Sequence, residues 1–158
     1  TLITQAGFAV RENVSQALQR MCRDVGVEAN VRLVDGTSIS GLWFEGKFDA
    51  MLHWWHMPAD PDLTLFFASD RTPPSGRNIN YVDDDSLTRL LYASDRTVEQ
   101  GKRRELLVAA QQRIADLAVE IPLYNVTRLD AVPANLEGFK GNPTNAGIFW
   151  NVHEWRVR

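Results

Sequence analysis

At 158 residues, 44% hydrophobic and 23% charged, the chain has the make-up of one globular domain with a real core. A formal net charge of −3 leaves no basic field to attract nucleic acid, and no apolar run approaches the ~20 residues that cross a bilayer. The single cysteine, Cys22, excludes an internal disulfide and reads as a small core hydrophobe beside Met21 on a helix.

Residues 2–4 read as a strand, followed by a turn at Gln5, Ala6 and Gly7. So abrupt an opening predicts a processed protein or a piece of a longer one. Val14, Leu18, Met21, Cys22 and Val25 follow helical spacing, with Arg11, Glu12, Gln19, Arg20 and Arg23 placed on the wet side, and Gly26 closes the helix. Residues 29–34 alternate and contain branched side chains, predicting a second strand. Strand, helix and strand at this spacing make a βαβ unit with parallel strands. A short helix over 38–44 and a turn at Gly46 and Lys47 lead to the stretch that organises the chain, 48–62.

Phe48, Ala50, Leu52 and Trp54 share one alternating face of this stretch, and Met51 lies between Asp49 and His53 on the other. That pattern predicts a strand over 48–54 covered on both sides, as in a parallel sheet with helices above and below. Pro58 and Pro61 then end any ladder, having no N–H to donate. Trp54, Trp55, His56 and Met57 therefore fall where strand gives way to loop, the place where open α/β sheets bind ligands.

Leu63 to Ser69 is predicted as a short helix with Leu65, Phe66 and Phe67 supplying core, and residues 71–80 as a loop rich in proline and glycine. Asp83, Asp84 and Asp85 precede a helical run; they read as helix-capping carboxylates, lacking the spaced ligands of a calcium loop. Thr97 to Gln100 resembles a capping box before a long helix over about 100–117, with Leu106, Leu107, Ala110, Ile114 and Leu117 facing inward. Pro122 predicts extended chain around Ile121. From Asp130 the periodicity is lost, and an aromatic end (Phe149, Trp150, Trp155) is expected to pack against something.

Catalytic signatures are missing: no nucleophile elbow, phosphate loop, dinucleotide fingerprint or His-Glu-x-x-His. His53 and His56 with Asp60 and Asp62 invite a metal reading, but an offset of three on a strand points to opposite faces, so no metal site is expected. Asp60 and Asp62 read first as a turn capping the next helix, and as an acid/base pair second. What remains is the aromatic platform. Trp54, in phase with Phe48 and Leu52, is divided between core and groove, while Trp55, in the opposite phase, has the better case for exposure.

In order along almost the whole chain, the sequence resembles the C-terminal part of the extracellular solute-binding proteins of family 5, the dipeptide, oligopeptide and nickel-binding components of bacterial ABC transporters. The resemblance is carried by Val25, Gly26 and Val27 before a strand; by Gly46, Phe48 and Asp49; by Trp54 with Asp60, Pro61 and Asp62; by Asn80 and Tyr81 before the aspartates; by Pro122, Leu123 and Tyr124 after the long helix; and by Gly138, Phe139, Trp150 and Trp155. It implies an α/β fold, one lobe of a type II periplasmic binding protein: βαβ units in a mixed, mostly parallel sheet flanked by helices. Residues 1–124 would form the lobe, and 125–158 an irregular tail returning towards the other lobe.

It further implies a periplasmic or extracellular protein with a small-molecule or peptide solute and a membrane permease as partners, and neither cofactor nor chemistry. Trp54 matches the family's ligand-contacting tryptophan. Peptide-binding members carry, three positions later, an aspartate for the peptide amine; Met57 stands there, so His56 compensates, Asp60 swings in, or the solute is less cationic. The expected ligand-binding set is Trp54, Trp55, His56, Met57 and Asp60. The alternatives are a ligand-sensing domain on the same fold and, behind it, an enzyme using His56 with Asp60 or Asp62.

Overall fold

The computed structural model describes residues 1–55, 58–60, 62–125, 127–142, 144 and 146–158. The first half is the expected βαβ unit. Strand β1 (Leu2–Gln5), helix α1 (Ala9–Asp24) and strand β2 (Val31–Val34) follow in turn, with β1 and β2 parallel from Leu2 opposite Val31 to Gln5 opposite Val34. Helix α1 ends where Val27 N–H reaches back to Cys22 O and Gly26 takes φ +81°, a left-handed conformation that glycine enters without a Cβ clash. Asp35 accepts the amides of Thr37 and Ser38, both at 3.0 Å, and so starts α2 (Gly36–Glu45); Gly46 at φ +62° stops it.

The organising strand is shorter than its apolar pattern predicts. Strand β3 spans Ala50–Met51 alone, parallel to β1, and the sheet order is β2-β1-β3. Leu52 N–H still donates to Ile3 O at 3.0 Å, and Leu52 O accepts from Thr4 Oγ1 at 3.1 Å. Beyond Leu52 the alternation no longer governs which side chains face inward. This three-stranded sheet is wholly parallel rather than mixed. Ile3 and Thr4 are both buried, so the central strand is covered on both faces.

Helix α1 buries Arg11 and Ser15 rather than its longest apolar side chains, and Met21 and Val25 are exposed. The inward stripe runs 11, 15, 18, 22, one turn apart each time.

A second core lies beyond the sheet. Helix α3 (Thr64–Phe67) brings in Phe66 and Phe67 and leaves Leu65 exposed; α4 (Asp85–Asp95) contributes Leu87 and Leu91, and α5 (Gln100–Asp116) Ala110, with Leu106, Leu107, Ile114 and Leu117 partly covered. Asp84 caps α4, accepting Leu87 N–H at 2.7 Å, and Arg113 of α5 pairs with the same carboxylate at 2.6 Å. The capping box before α5 is not formed: Glu99 takes the cap by accepting from Gly101 and Lys102, and Thr97 Oγ1 donates to Ala93 O. The loop between α3 and α4 is organised on the fully buried Asn78. Its amide donates to Ala68 O and Val82 O, and its oxygen accepts Val82 N–H.

The tail is more ordered than its sequence suggests. Strands β4 (Leu136–Glu137) and β5 (Arg156–Val157) pair antiparallel, and buried Asn151 donates to Gly138 O and accepts from the Trp155 indole. Trp155 packs on Phe139 and Phe149. The aromatic end thus packs partly on itself, leaving Phe149 and Trp150 with substantial exposed surface.

Candidate functional site

All three parallel strands point their carboxyl ends to one edge. Gln5 ends β1, and the chain running on from β3 carries Leu52, His53, Trp54 and Trp55 across that edge. Of the two tryptophans, Trp54, which its phase divides between core and groove, faces out, and Trp55, for which the phase favours exposure, faces in. Trp54 is 37% exposed, whereas Trp55 is partly buried against the second core, its ring 4.7 Å from that of Phe66. Because the ladder ends at Leu52, the strand phase that assigned Trp54 to the Phe48 face does not reach it.

Trp55 is one member of an aromatic row. His53 stands edge-on between Trp43 of α2 and Trp55, at 4.5 and 4.7 Å, and Trp55 continues to Phe66. Trp43 packs with the sheet core and Phe66 belongs to the second core, so the row joins the two. His53 Nδ1 and the Trp43 indole nitrogen are buried without hydrogen-bond partners among the described residues. Burial, with a smaller push from nearby Arg11, holds the His53 imidazole down to about 4, so it is neutral at pH 7. The carboxyl of Glu120 is raised by burial, partly offset by a hydrogen bond from the Trp55 side chain.

Trp54 faces the other way, towards α1. The Arg11 guanidinium lies over its ring at 3.5 Å and over Phe8 at 4.4 Å, and Phe8 meets Trp54 edge-on at 5.4 Å. Arg11 Nη1 reaches Gln5 Oε1 only at 3.5 Å. The helical pattern places Arg11 on the wet face of α1, yet it is 5% exposed. Its position one turn ahead of Ser15, on the stripe that continues to Leu18 and Cys22, is the signal that marks it.

Asp60 lies apart from this cluster, paired with Arg103 of α5 at 2.5 Å. Asp62 accepts Thr64 N–H at 2.9 Å, the turn role expected of it. His56 and Met57 lie outside the described residues. Among the described residues no group of three or more His, Cys, Asp or Glu is placed to hold a metal ion, and no helix is long and apolar enough to cross a membrane.

No protein-family model matches the chain. In sequence it is 26% identical over 162 residues to the oligopeptide-binding protein AppA of Bacillus subtilis, covering 98% of this chain and 28% of that protein. It is 27% identical over 141 residues to a probable di/tripeptide-binding protein of Pseudomonas aeruginosa, covering 87% of this chain and 27% of that one. The chain therefore spans under a third of the length of the curated relatives it matches.

Among solved structures, AppA in complex with a nonapeptide superposes with a TM-score of 0.77 at 20% identity, over 99% of this chain and 31% of that one. A dipeptide-binding protein from a Pseudoalteromonas species in complex with Met-Leu gives 0.76 at 20% identity, over 99% and 32%. NikZ of Campylobacter jejuni in complex with Ni(L-His) gives 0.75 at 22% identity, over 98% and 32%. The chain is thus similar from end to end to family 5 solute-binding proteins, and its fold is that of one α/β lobe of such a protein.

Proposed function

We propose that these 158 residues form part of the substrate-binding component of an ABC importer, working in the periplasm or outside the cell. It would capture a peptide-like or other small solute in a cleft between two lobes and deliver it to a membrane permease. The observation that carries this reading is the end-to-end likeness, in sequence and in fold together, to proteins named for the peptides they bind. Residues 1–124 would supply one lobe, and 125–158, whose Phe149 and Trp150 stay exposed, would run back towards the other. The function would be closure around a solute, with no bond made or broken.

Trp54 would meet solute at this edge, a role its outward, exposed ring supports. Trp55 would serve from beneath, fixing the backbone that presents Trp54, and His56 and Met57 would line the cleft beside it. Asp60, held by Arg103, would bear on the cleft through the loop it fixes. The test is intrinsic tryptophan fluorescence of the complete protein, with whatever chain flanks these residues, titrated with dipeptides, oligopeptides, metal chelates and sugars. A saturable change with the solute recovered intact is expected, and Trp54→Ala should weaken it about tenfold or more. Consumption of the solute, or no saturable binding across the panel, would overturn the reading.

A further inference from the structure

The chain leaving α5 is turned onto the second core. Leu117 closes the helix, its N–H donating to Arg113 O at 3.0 Å, and Ala118 then takes φ +52°, a left-handed conformation that a side chain disfavours. Val119 packs against the second core, and its carbonyl accepts from Asn80 Nδ2 at 3.3 Å. Glu120 follows, half-buried, and from Ile121 to Asn125 every residue is exposed. Glu120 therefore stands where the chain passes from the core to the surface.

A carboxylate is an expensive choice for that place. Glu120 forms no ion pair among the described residues, and burial raises its carboxyl pKa. An apolar side chain would fill the same space at lower cost. What the carboxylate provides is an acceptor. The Trp55 side chain donates to it, and an indole has a single donor, its Nε1–H. Trp55 already meets the rings of His53 and Phe66, each at 4.7 Å, and it packs on the same core as Val119. Ring contacts fix an indole's layer; a directional bond to its one N–H also fixes its rotation within that layer. The next residue back along the chain is Trp54, whose ring is exposed at the carboxyl edge of the sheet.

We propose that Glu120 is a positioning residue for solute binding: it ties the Trp55 indole, and through Trp55 the backbone that presents Trp54, to the chain that leaves α5. This rests on the solute-binding reading and adds to it a residue that touches no solute. The chain beyond Glu120 is the part that would run towards the other lobe. The platform and that connection would then move as one body when the lobes close.

The experiment uses the complete protein and whichever of the dipeptides, oligopeptides, metal chelates and sugars the wild type binds, measured by calorimetry. Glu120→Leu, which removes the acceptor, should weaken binding about three- to tenfold. Glu120→Gln keeps a carbonyl oxygen for the indole and should stay within about twofold of the wild type. In urea at pH 7, E120L should be as stable as the wild type or more so, because a half-buried, unpaired carboxylate has been removed. A group serving the fold alone would lose stability and affinity together. Trp55→Phe keeps a ring against His53 and Phe66 without the N–H, and in that background E120L should cost no further affinity. Fluorotryptophan labelling reads the tie directly: the Trp55 fluorine signal, assigned by its loss in W55F, should move between wild type and E120L. Wild-type affinity in E120L, a loss in E120Q as large as in E120L, a full repeat of the E120L loss in the W55F background, a loss matched by lower stability, or an unmoved Trp55 signal would each overturn the assignment while leaving solute binding intact. Failure of the wild type to bind any probe would overturn it together with the reading it rests on.

Discussion

The aromatic row makes a quantitative prediction about pH. His53 is held neutral between two tryptophans, its imidazole brought from the ordinary 6.5 to about 4, chiefly by burial. Between those two values the unfolded chain binds a proton that the folded chain does not. Stability therefore rises with pH across this window and falls as pH drops from 6.5 towards 4. The gap corresponds to roughly 3 kcal/mol at 1.36 kcal/mol per pH unit, trimmed to about 2 kcal/mol because the ring is only partly buried and is screened by solvent. The substitution to make is His53→Phe, which puts an uncharged ring between Trp43 and Trp55 and removes the unpartnered Nδ1. Urea unfolding followed by circular dichroism at pH 4, 5, 6 and 7 gives the comparison. The wild type should lose about 2 kcal/mol more than the variant between pH 7 and pH 4. Glu120 works in the opposite direction, since its raised carboxyl pKa favours the folded state at low pH, but it is present in both proteins and drops out of the difference. Curves for wild type and variant that stay parallel across the window would refute the buried, neutral placement of His53.

Asn78→Ala should cost about 3 kcal/mol in the same urea assay, because the fully buried amide satisfies Ala68 O, Val82 O and Val82 N–H, and truncation leaves all three without the side chain; a loss under about 1 kcal/mol would show that the loop relaxes around the gap. Gly138→Ala should disrupt the tail alone. Gly138 sits at φ +79° with Glu154 O 2.4 Å from where a Cβ would stand, so amide exchange should accelerate in β4 and β5 and stay unchanged around Leu87 and Leu91. Unchanged protection of the β4 and β5 amides would contradict that geometry.

Local signals made much of the fold legible. Gly26 closes α1, the alternation before Val34 gives β2, and Asp84 starts α4, each through a physical requirement confined to a few neighbouring residues. Signals depending on partners distant in sequence were weaker. The apolar run from Phe48 to Trp54 predicts a long strand, yet β3 pairs with β1 at Ala50 and Met51 only, and nothing in the run marks where its neighbour stops. Thr97 carries the capping-box pattern, but Glu99 sits closer to the first amides and takes the cap. The tail shows no periodicity because its order comes from single buried groups, Asn151 above all, joining chain at Gly138 to chain at Trp155.

The candidate site was legible as a place and not as a constellation. Adjacent tryptophans on an extended chain point in opposite directions, so one must turn in and the other out. Phase counted from Phe48 leaves Trp54 between core and groove and favours exposure for Trp55; the end of the ladder at Leu52 turns Trp54 out and reverses the placing of Trp55. The reversal has a functional consequence. Trp55, wedged between His53 and Phe66, is fixed by both cores at once, and its neighbour Trp54 inherits a backbone that cannot readily move. Arg11 and Phe8 then hold the outward ring from the side of α1. If this edge binds solute as proposed, a platform fixed in this way would lose little conformational freedom on binding, conserving affinity without adding contacts. On the proposed reading Trp55 would bear on binding without touching solute, by keeping Trp54 in one place.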